Sequence, residues 1–300
     1  MADRLFRGTA PAMVTPFDAN EDLDEYATRR LVDRLIDGGV EALVVLGTTG
    51  ENPTVWPEER YRLVEIVVEQ NDGRVPVVVG TGTNSTSQSI VFSKEAATQG
   101  ADGLLVVGPY YNKPTQEGFF GHVAAIADAT DLPILVYNVP GRTGFNCTAE
   151  TTLRLAEEIP TVTGVKEASG NLAQISDILA HRPDGLAVYA GDDELAFPMI
   201  ALGADGVVSV VANAVPEPFT DMIRAALDGD FARARDLHFR LLPAMRACFI
   251  ETNPIPIKTI MAEMGWIDPA MRLPLSPLQD THRAALHDAF APFIGERVDG

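Results

Sequence analysis

Residues Gln99–Gly108 read QGADGLLVVG, a glycine at a helix end followed by a turn and a short apolar run. The same arrangement recurs as GGVEALVVLG at Gly38–Gly47 and as LGADGVVSVV at Leu202–Val211. Nearly continuous apolar runs of this length, rich in β-branched residues, are typical of strands that are covered on both faces. Each stretch therefore predicts a helix that ends at glycine, turns and enters a buried strand.

Eight apolar runs of this kind occur, and most of them start about 25 to 35 residues apart, the length of one βα unit. Amphipathic patterns between the runs predict helices, for example over Leu23–Ile36, Pro57–Gln70 and Ser85–Thr98. This alternation favours an α/β fold, a parallel (β/α)8 TIM barrel. The main alternative is a doubly wound open sheet, which is weakly supported because no G-x-G-x-x-G follows the first run. The predicted strands are Ala10–Val14, Ala42–Leu46, Val75–Val79, Gly103–Val107, Pro133–Tyr137, Val162–Val165, Leu186–Tyr189 and Gly206–Val211.

The C-terminal part of the chain contains more helical pattern than a barrel needs. Helices are predicted from about residue 216 onward, including one over Asp230–Ile250. We expect a barrel over residues 1–228 and a C-terminal helical extension over residues 229–300 that packs on it. No low-complexity linker separates the two parts.

Composition narrows the possible partners and cofactors. Asp and Glu number 42 against 23 Lys and Arg, so the 300-residue chain carries a net charge of −19. Such a surface repels phosphate backbones and anionic lipids, so we expect neither nucleic acid nor membrane as a partner. The first residues form no apolar targeting segment, and the distant Cys147 and Cys248 suggest reduced thiols, so a cytoplasmic location is expected. The five histidines have no compact ligand spacing, so no metal site is predicted.

Lys166 is the first candidate for chemistry. In a parallel barrel the carboxyl ends of the strands face the active site, and Lys166 directly follows the run Val162–Val165. An apolar environment disfavours the ammonium ion, and a neutral amine can attack a ketone to form an imine. The alternative is that Lys166 forms an ion pair with Glu167 or another acid. Position alone leaves both interpretations open.

Three further strand ends carry polar side chains. The turn Gly47–Gly50, GTTG, offers two hydroxyls and backbone N–H groups that can cradle a carboxylate, although it can also be an ordinary βα turn. Tyr111 and Tyr137 can relay protons or can simply be core or rim residues. Arg142 can hold a second carboxylate with its guanidinium fork, or it can form a surface ion pair.

Six motifs spread over nearly the whole chain raise the specificity of this interpretation. On these motifs the chain resembles the family of dihydrodipicolinate synthase and N-acetylneuraminate lyase, which are class I (Schiff-base) aldolases that act on pyruvate. The motifs are GTTGE at Gly47–Glu51, PYYNKP at Pro109–Pro114, YNVPGRTG at Tyr137–Gly144, GVKEASG at Gly164–Gly170, AGDDE at Ala190–Glu194 and ETNPIPIK at Glu251–Lys258.

The resemblance implies roles for individual residues. Lys166 forms the imine with pyruvate, so no separate cofactor is expected, and Tyr137 donates and accepts protons over that imine. Thr48 links Tyr137 to Tyr111, which reaches across a tight-dimer interface, and two such dimers form a homotetramer. The remaining implied pyruvate contacts are the amides of Thr48 and Thr49, the hydroxyl of Thr49, and backbone groups of Gly191 and Val208.

Arg142 and the segment Asn253–Pro256 are typical of the synthase branch of the family. They imply condensation of pyruvate with L-aspartate 4-semialdehyde to 4-hydroxy-tetrahydrodipicolinate, a step toward lysine and diaminopimelate. Two alternatives remain open. One is another pyruvate aldolase, such as a 2-keto-3-deoxy sugar-acid aldolase or N-acetylneuraminate lyase. The other is a catalytically silent binding paralogue, which the intact Lys166, Tyr137 and Thr48 argue against.

One departure from the family pattern concerns regulation. In lysine-inhibited members, an acidic residue and histidines near the GTTGE loop and the following helices hold the inhibitor. This chain has Gln88 where the carboxylate is expected and Arg60 where a histidine would lie. Weak inhibition by lysine, or none, is therefore expected.

Overall fold

A computed structural model gives the structure of residues 4–294. Its strands form one parallel sheet in which each strand pairs with its sequence neighbour and β8 returns to β1. The strands are β1 (Gly8–Pro11), β2 (Leu43–Val45), β3 (Val77–Gly80), β4 (Gly103–Val107), β5 (Ile134–Asn138), β6 (Val162–Glu167), β7 (Ala187–Ala190) and β8 (Gly206–Ser209).

The sheet closes between β1 and β2. The Glu41 N–H donates to the Thr9 carbonyl at 2.8 Å, and the Met13 N–H donates to the Val44 carbonyl at 2.9 Å. Ala12 and Val44 also form a parallel bridge. These contacts join the two strands that would be free edges in an open sheet. The predicted TIM barrel is therefore confirmed, and the open-sheet alternative is wrong.

The helices lie where the amphipathic patterns predicted them, with ends displaced by no more than three residues. The first helix starts at Glu25 because the Asp24 side chain accepts the Ala27 N–H at 2.8 Å, so Asp24 is its N-cap. The helices are α1 (Glu25–Asp37), α2 (Pro57–Asn71), α3 (Thr86–Thr98), α4 (Gln116–Ala127), α5 (Pro140–Thr143), α6 (Ala149–Glu158), α7 (Leu172–His181), α8 (Asp193–Ala201), α9 (Pro216–Leu227), α10 (Phe231–Ala247), α11 (Ile255–Glu263) and α12 (Asp280–Ile294).

Two apolar layers lie on the two sides of the sheet, because successive strand residues face opposite directions. On β5, Ile134 and Val136 pack outward against the helices, whereas Leu135 and Tyr137 pack into the barrel interior. Lys166 on β6 is the register partner of Tyr137. The alternation therefore directs Lys166 into the barrel interior.

The C-terminal helices return to the barrel. Helix α10 packs on α8 and α9, and α12 packs on α10 and α11. Asp230 caps α10 by accepting the Arg233 N–H at 3.1 Å, so the helix predicted over Asp230–Ile250 spans Phe231–Ala247. The division at residues 228 and 229 stays a prediction, and residues 1–3 and 295–300 of the two predicted parts lie outside the described residues. Across residues 4–294, no helix has both the length and the apolar character needed to cross a membrane.

Candidate active site

Lys166 lies near the carboxyl end of β6, between Tyr137 of β5 and Tyr189 of β7 in the strand register. Its side chain is buried, and its Nζ lies 4.2 Å from the centroid of the Tyr137 ring. A Cβ on Gly191, which directly follows β7, would lie 3.1 Å from the Lys166 Cε and 2.6 Å from the Ala168 Cβ. Glycine at position 191 therefore leaves room for the lysine side chain.

Lys166 forms no ion pair with any residue between positions 4 and 294. The adjacent Glu167 points to the other side of the strand, where it accepts the Ser169 N–H at 2.7 Å and a Gln174 side-chain N–H at 3.1 Å. The predicted alternative of a Lys166–Glu167 pair is therefore wrong. An amine that is buried and lacks a carboxylate partner is available as a nucleophile.

The turn after β2 exposes two backbone donors. The Gly50 N–H donates to the Gly47 carbonyl and the Glu51 N–H donates to the Thr48 carbonyl, each at 3.1 Å, so the turn is tight. In the described part of the chain, the N–H groups of Thr48 and Thr49 have no hydrogen-bond partner. Adjacent free N–H groups in a turn form a binding site suited to a carboxylate.

A buried ion pair anchors this turn to helix α11. Lys258 Nζ donates to Glu51 Oε1 at 2.6 Å and to the Thr15 carbonyl at 3.0 Å, and both charged side chains are almost fully buried. Burial lowers the pKa of Lys258, while the Glu51 carboxylate opposes that change. The residue-by-residue interpretation of the sequence missed this pair, although both members lie in the motifs GTTGE and ETNPIPIK.

Replacement of Lys258 with methionine is expected to lower the free energy of unfolding by about 3–5 kcal/mol, because Glu51 would remain buried without a cation. Urea unfolding monitored by circular dichroism measures the change. The matched control is Arg154→Ala, which breaks the exposed pairs with Glu117 and Glu158 and should cost no more than about 1 kcal/mol. A loss for Lys258→Met as small as that of the control would contradict the anchoring role.

Arg142 lies on the one-turn helix α5, which directly follows β5. Pro140 starts this turn, and Gly144 ends it with a φ of 69°. The Arg142 side chain is exposed, and its Nη2 donates to the Asn253 carbonyl at 3.4 Å. Among residues 4–294 the guanidinium has no carboxylate partner, so its charge is available to an anion.

A cavity of about 210 Å³ joins several of these groups. Thr48, Tyr137 and Arg142 all line it, so three of the predicted site residues, from the ends of β2 and β5, meet at one opening. Tyr137 belongs both to this cavity and to the surroundings of Lys166. The other lining residues are Leu46, Gly47, Asn52, Pro53, Gly80, Gly82, Leu105, Val107, Tyr110, Val139 and Thr143.

The remaining predicted residues occupy three different positions. Val208 on β8 is buried in the inner apolar layer. Thr49 is buried behind the turn, and its Oγ1 lies 2.9 Å from Asn253 Nδ2. Tyr111 is 93% exposed and has a φ of 68°, and the neighbouring Tyr110 lines the cavity instead. A single chain therefore does not bring Tyr111 to Thr48.

Between positions 4 and 294, no three His, Cys, Asp or Glu side chains are arranged to bind a metal ion. Both cysteines are buried and unpaired, and burial raises the pKa of the Cys147 thiol to about 12. The chemical groups of this site are therefore an amine, hydroxyls, a guanidinium and backbone N–H groups.

Residues 5–291 match the dihydrodipicolinate synthetase family. The chain belongs to this family. It is 62% identical to the 4-hydroxy-tetrahydrodipicolinate synthase of Salinibacter ruber over 278 residues, which cover 93% of this chain and 92% of the relative. The resemblance inferred from the six motifs is thereby confirmed.

Two solved structures resemble the chain over almost its full length. Chloride-inhibited dihydrodipicolinate synthase from Acinetobacter baumannii, complexed with pyruvate, is 40% identical with a TM-score of 0.94, covering 96% of this chain and 99% of that one. The enzyme from Cyanidioschyzon merolae with lysine bound is 39% identical with a TM-score of 0.94, covering 98% and 99% of the two chains.

Proposed function

We propose that this chain catalyses the class I aldol condensation of pyruvate with L-aspartate 4-semialdehyde to give 4-hydroxy-tetrahydrodipicolinate. The observation that carries the proposal is Lys166, a buried amine that has no ion pair in the described part of the chain and whose Nζ lies 4.2 Å from the centre of the Tyr137 ring. The same activity is supported by the chain's membership of the dihydrodipicolinate synthetase family and by its 62% identity to a 4-hydroxy-tetrahydrodipicolinate synthase. The imine is carried by Lys166 itself, so the reaction needs no separate cofactor.

The first half of the reaction activates pyruvate. The neutral Lys166 amine attacks the ketone carbon, water leaves, and the protonated imine that forms withdraws electrons from the adjacent methyl carbon. Loss of a proton from that carbon then gives an enamine. We assign the proton transfers to Tyr137, with Thr48 linking it to Tyr111 of a second copy. Hydroxyls can relay protons in this way without leaving a new charge buried.

The turn after β2 binds the pyruvate carboxylate. The free N–H groups of Thr48 and Thr49 and the Thr49 hydroxyl supply donors, and backbone groups of Gly191 and Val208 complete the pocket. A chain with a net charge of −19 repels anions over most of its surface, so these local donors are essential. The anion is held by dipoles and hydrogen bonds rather than by a general positive field.

The second half of the reaction consumes the aldehyde. The enamine carbon attacks the aldehyde carbon, and the amino group of the bound semialdehyde then displaces Lys166 and closes the ring. Arg142 lines the same cavity as Tyr137, and no carboxylate among residues 4–294 neutralises its charge, which suits the carboxylate of the semialdehyde. The neutral, hydroxylated aldehyde that a 2-keto-3-deoxy sugar-acid aldolase uses would instead call for neutral hydrogen-bonding partners at this position.

Turnover assays with purified enzyme test the proposal. Pyruvate together with aspartate semialdehyde should be consumed and give the cyclic product, whereas 2-keto-3-deoxy sugar acids and N-acetylneuraminate should not be cleaved at comparable rates. The opposite preference would assign the chain to another pyruvate aldolase. Absence of turnover with every aldehyde would indicate a binding paralogue.

We also propose a cytoplasmic homotetramer built from tight dimers. Tyr111 is 93% exposed in one chain, which suits a residue that completes the site of a second copy. Leu202 at the end of α8 and Phe231 and Phe239 on α10 are also about half exposed, as expected for apolar side chains at a further interface. Sedimentation velocity should give a species of four chains, and a monomer at assay concentration would contradict the assembly.

Weak inhibition by lysine is a further expected result. Arg60 is buried beside the cavity, where its guanidinium donates to Asn52 Oδ1 at 2.6 Å and to the Gly80 carbonyl at 2.8 Å. This fixed cation opposes a cationic ligand, and Gln88 supplies no negative charge. Half-inhibition should therefore require lysine well above the order of a millimolar.

Initial rates against lysine at constant ionic strength provide the measurement. The matched variant is Gln88→Glu, which restores a carboxylate at an exposed position and should lower the half-inhibiting concentration. Sub-millimolar inhibition of the unaltered chain would show that Gln88 and Arg60 do not determine lysine binding.

A further inference from the structure

Asn253 connects the two carboxylate-binding parts of the site. Its side-chain Nδ2 lies 2.9 Å from Thr49 Oγ1, and its backbone carbonyl accepts the Arg142 Nη2 at 3.4 Å. The residue is buried and lies two positions before the first residue of helix α11, which carries the anchoring Lys258. One residue of the C-terminal segment thus contacts both the turn after β2 and the arginine of α5.

The Asn253 side chain is not explained by stability. Its Oδ1 is buried and has no hydrogen-bond partner among residues 4–294, and its Nδ2 contacts only Thr49. A buried amide with half of its hydrogen-bonding capacity unmet costs free energy, so an apolar residue of similar size would suit a purely structural position better. The contact with Thr49 is the one interaction that requires an amide here.

A hydroxyl can donate only one hydrogen. A carboxylate only accepts hydrogen bonds, so the Thr49 hydroxyl can bind it only if that hydrogen is not given to another group. A donor that approaches the Thr49 oxygen from behind keeps the hydrogen free, and Asn253 Nδ2 is placed as such a donor. An acceptor at the same place would turn the hydroxyl away from the ligand.

We propose that Asn253 is a positioning residue that donates to the Thr49 oxygen and thereby directs the Thr49 hydroxyl hydrogen toward the carboxylate of pyruvate. The inference rests on the proposed function, because that function assigns Thr49 to the pyruvate carboxylate. It deepens the function by giving the segment Asn253–Lys258 two tasks. Lys258 fixes the turn after β2, and Asn253 sets the direction of the Thr49 hydroxyl in that turn.

The test is Asn253→Asp, which keeps the size of the side chain and replaces its only donor with an acceptor. Pyruvate affinity is measured from borohydride trapping of the imine at increasing pyruvate concentration. The half-saturating concentration should rise on the order of 10-fold to 100-fold. The KM for aspartate semialdehyde should change little, because the backbone carbonyl that contacts Arg142 is retained.

The pH dependence separates hydroxyl direction from a merely structural effect. As the pH is lowered toward about 5, part of the introduced carboxylate becomes protonated and regains a donor, so its pyruvate defect relative to the unaltered enzyme at the same pH should shrink. Asn171→Asp is the matched control. Asn171 is an exposed N-cap of α7, and aspartate caps a helix equally well, so its pyruvate binding should be unchanged.

Equal pyruvate dependence of Asn253→Asp and the unaltered enzyme would overturn the inference while leaving the proposed function intact. Failure of the unaltered enzyme to form any pyruvate adduct would instead refute the proposed function. If Asn253→Asp does not fold, Asn253→Ala is compared in the unaltered and Thr49→Val backgrounds. Its effect on pyruvate affinity should disappear when the hydroxyl is absent, and purely additive effects would contradict the proposal.

Discussion

Lys166→Ala is expected to eliminate the pyruvate adduct and to lower turnover on the order of 10⁴-fold or more, because no other group in the site can form the imine. The fold should survive, since Lys166 makes no ion pair within residues 4–294 and its loss leaves no charge without a partner. Incubation with pyruvate, reduction with borohydride and peptide mass analysis locate the adduct. Melting temperature checks the fold.

The other three lysines provide the controls for this experiment. Lys94 and Lys113 are exposed, so they should remain unlabelled at pyruvate concentrations that saturate the site. Lys258 is as buried as Lys166, but it is held by Glu51 at 2.6 Å and by the Thr15 carbonyl. An adduct on Lys258, or one that persists in Lys166→Ala, would refute the assignment of the nucleophile.

The comparison of the two buried lysines shows which property identifies the nucleophile. Both side chains are buried. At Lys258 a buried carboxylate pairs with the amine, which anchors the turn after β2. At Lys166 the neighbours are the Tyr137 ring, a glycine and apolar strand residues, and no carboxylate among residues 4–294 pairs with the amine. The two lysines therefore differ in their ion-pair partners and not in how deeply they are buried: Lys258 pairs with Glu51, whereas Lys166 has no such partner among residues 4–294.

The barrel could be predicted from the sequence because its signals are local. Runs such as Gly103–Val107 combine a buried-strand pattern with a preceding glycine, and the order of runs and helices then favours one closed topology. Exact ends were harder to predict. The first strand was predicted at Ala10–Val14 and lies at Gly8–Pro11, because its end is set by pairing with β8 rather than by its own residues.

Contacts between distant parts of the chain account for what sequence reasoning missed. Lys166 and Tyr137 could be located because strand ends converge in any parallel barrel. The pair Glu51–Lys258 and the contact Thr49–Asn253 join positions more than 200 residues apart, and no periodicity reports such a contact. Their motifs were visible, but their physical role depends on how the C-terminal segment returns over the barrel.

The second large effect is expected at Arg142, whose replacement should weaken the use of the aldehyde substrate. Its resting contact with the Asn253 carbonyl is long, at 3.4 Å, and the described residues offer its guanidinium no carboxylate. The side chain is exposed at the cavity that also contains Tyr137 and Thr48. An anionic aldehyde can therefore displace the weak contact and gain a two-point, charge-assisted pair, which carbonyl and hydroxyl groups elsewhere on the cavity wall cannot supply.

Arg142→Ala should therefore weaken use of aspartate semialdehyde by about 2–4 kcal/mol, or roughly 30-fold to 1000-fold in kcat/KM, while the pyruvate imine still forms. The kcat/KM of Arg142→Lys should lie between those of the unaltered enzyme and Arg142→Ala, because lysine keeps the charge but cannot form the two-point contact of the guanidinium. The control is Arg235→Ala, which removes an exposed arginine paired only with Asp236 at 3.7 Å and should leave both substrates unaffected. Steady-state kinetics in each substrate separates the effects.

If Arg142→Ala retains full use of the semialdehyde, Arg142 does not bind the carboxylate of the aldehyde, and the neutral aldehydes used by 2-keto-3-deoxy sugar-acid aldolases become the better substrates to test. If it also abolishes the borohydride-trapped adduct, Arg142 acts on the pyruvate step and the division of the site into two carboxylate subsites is wrong.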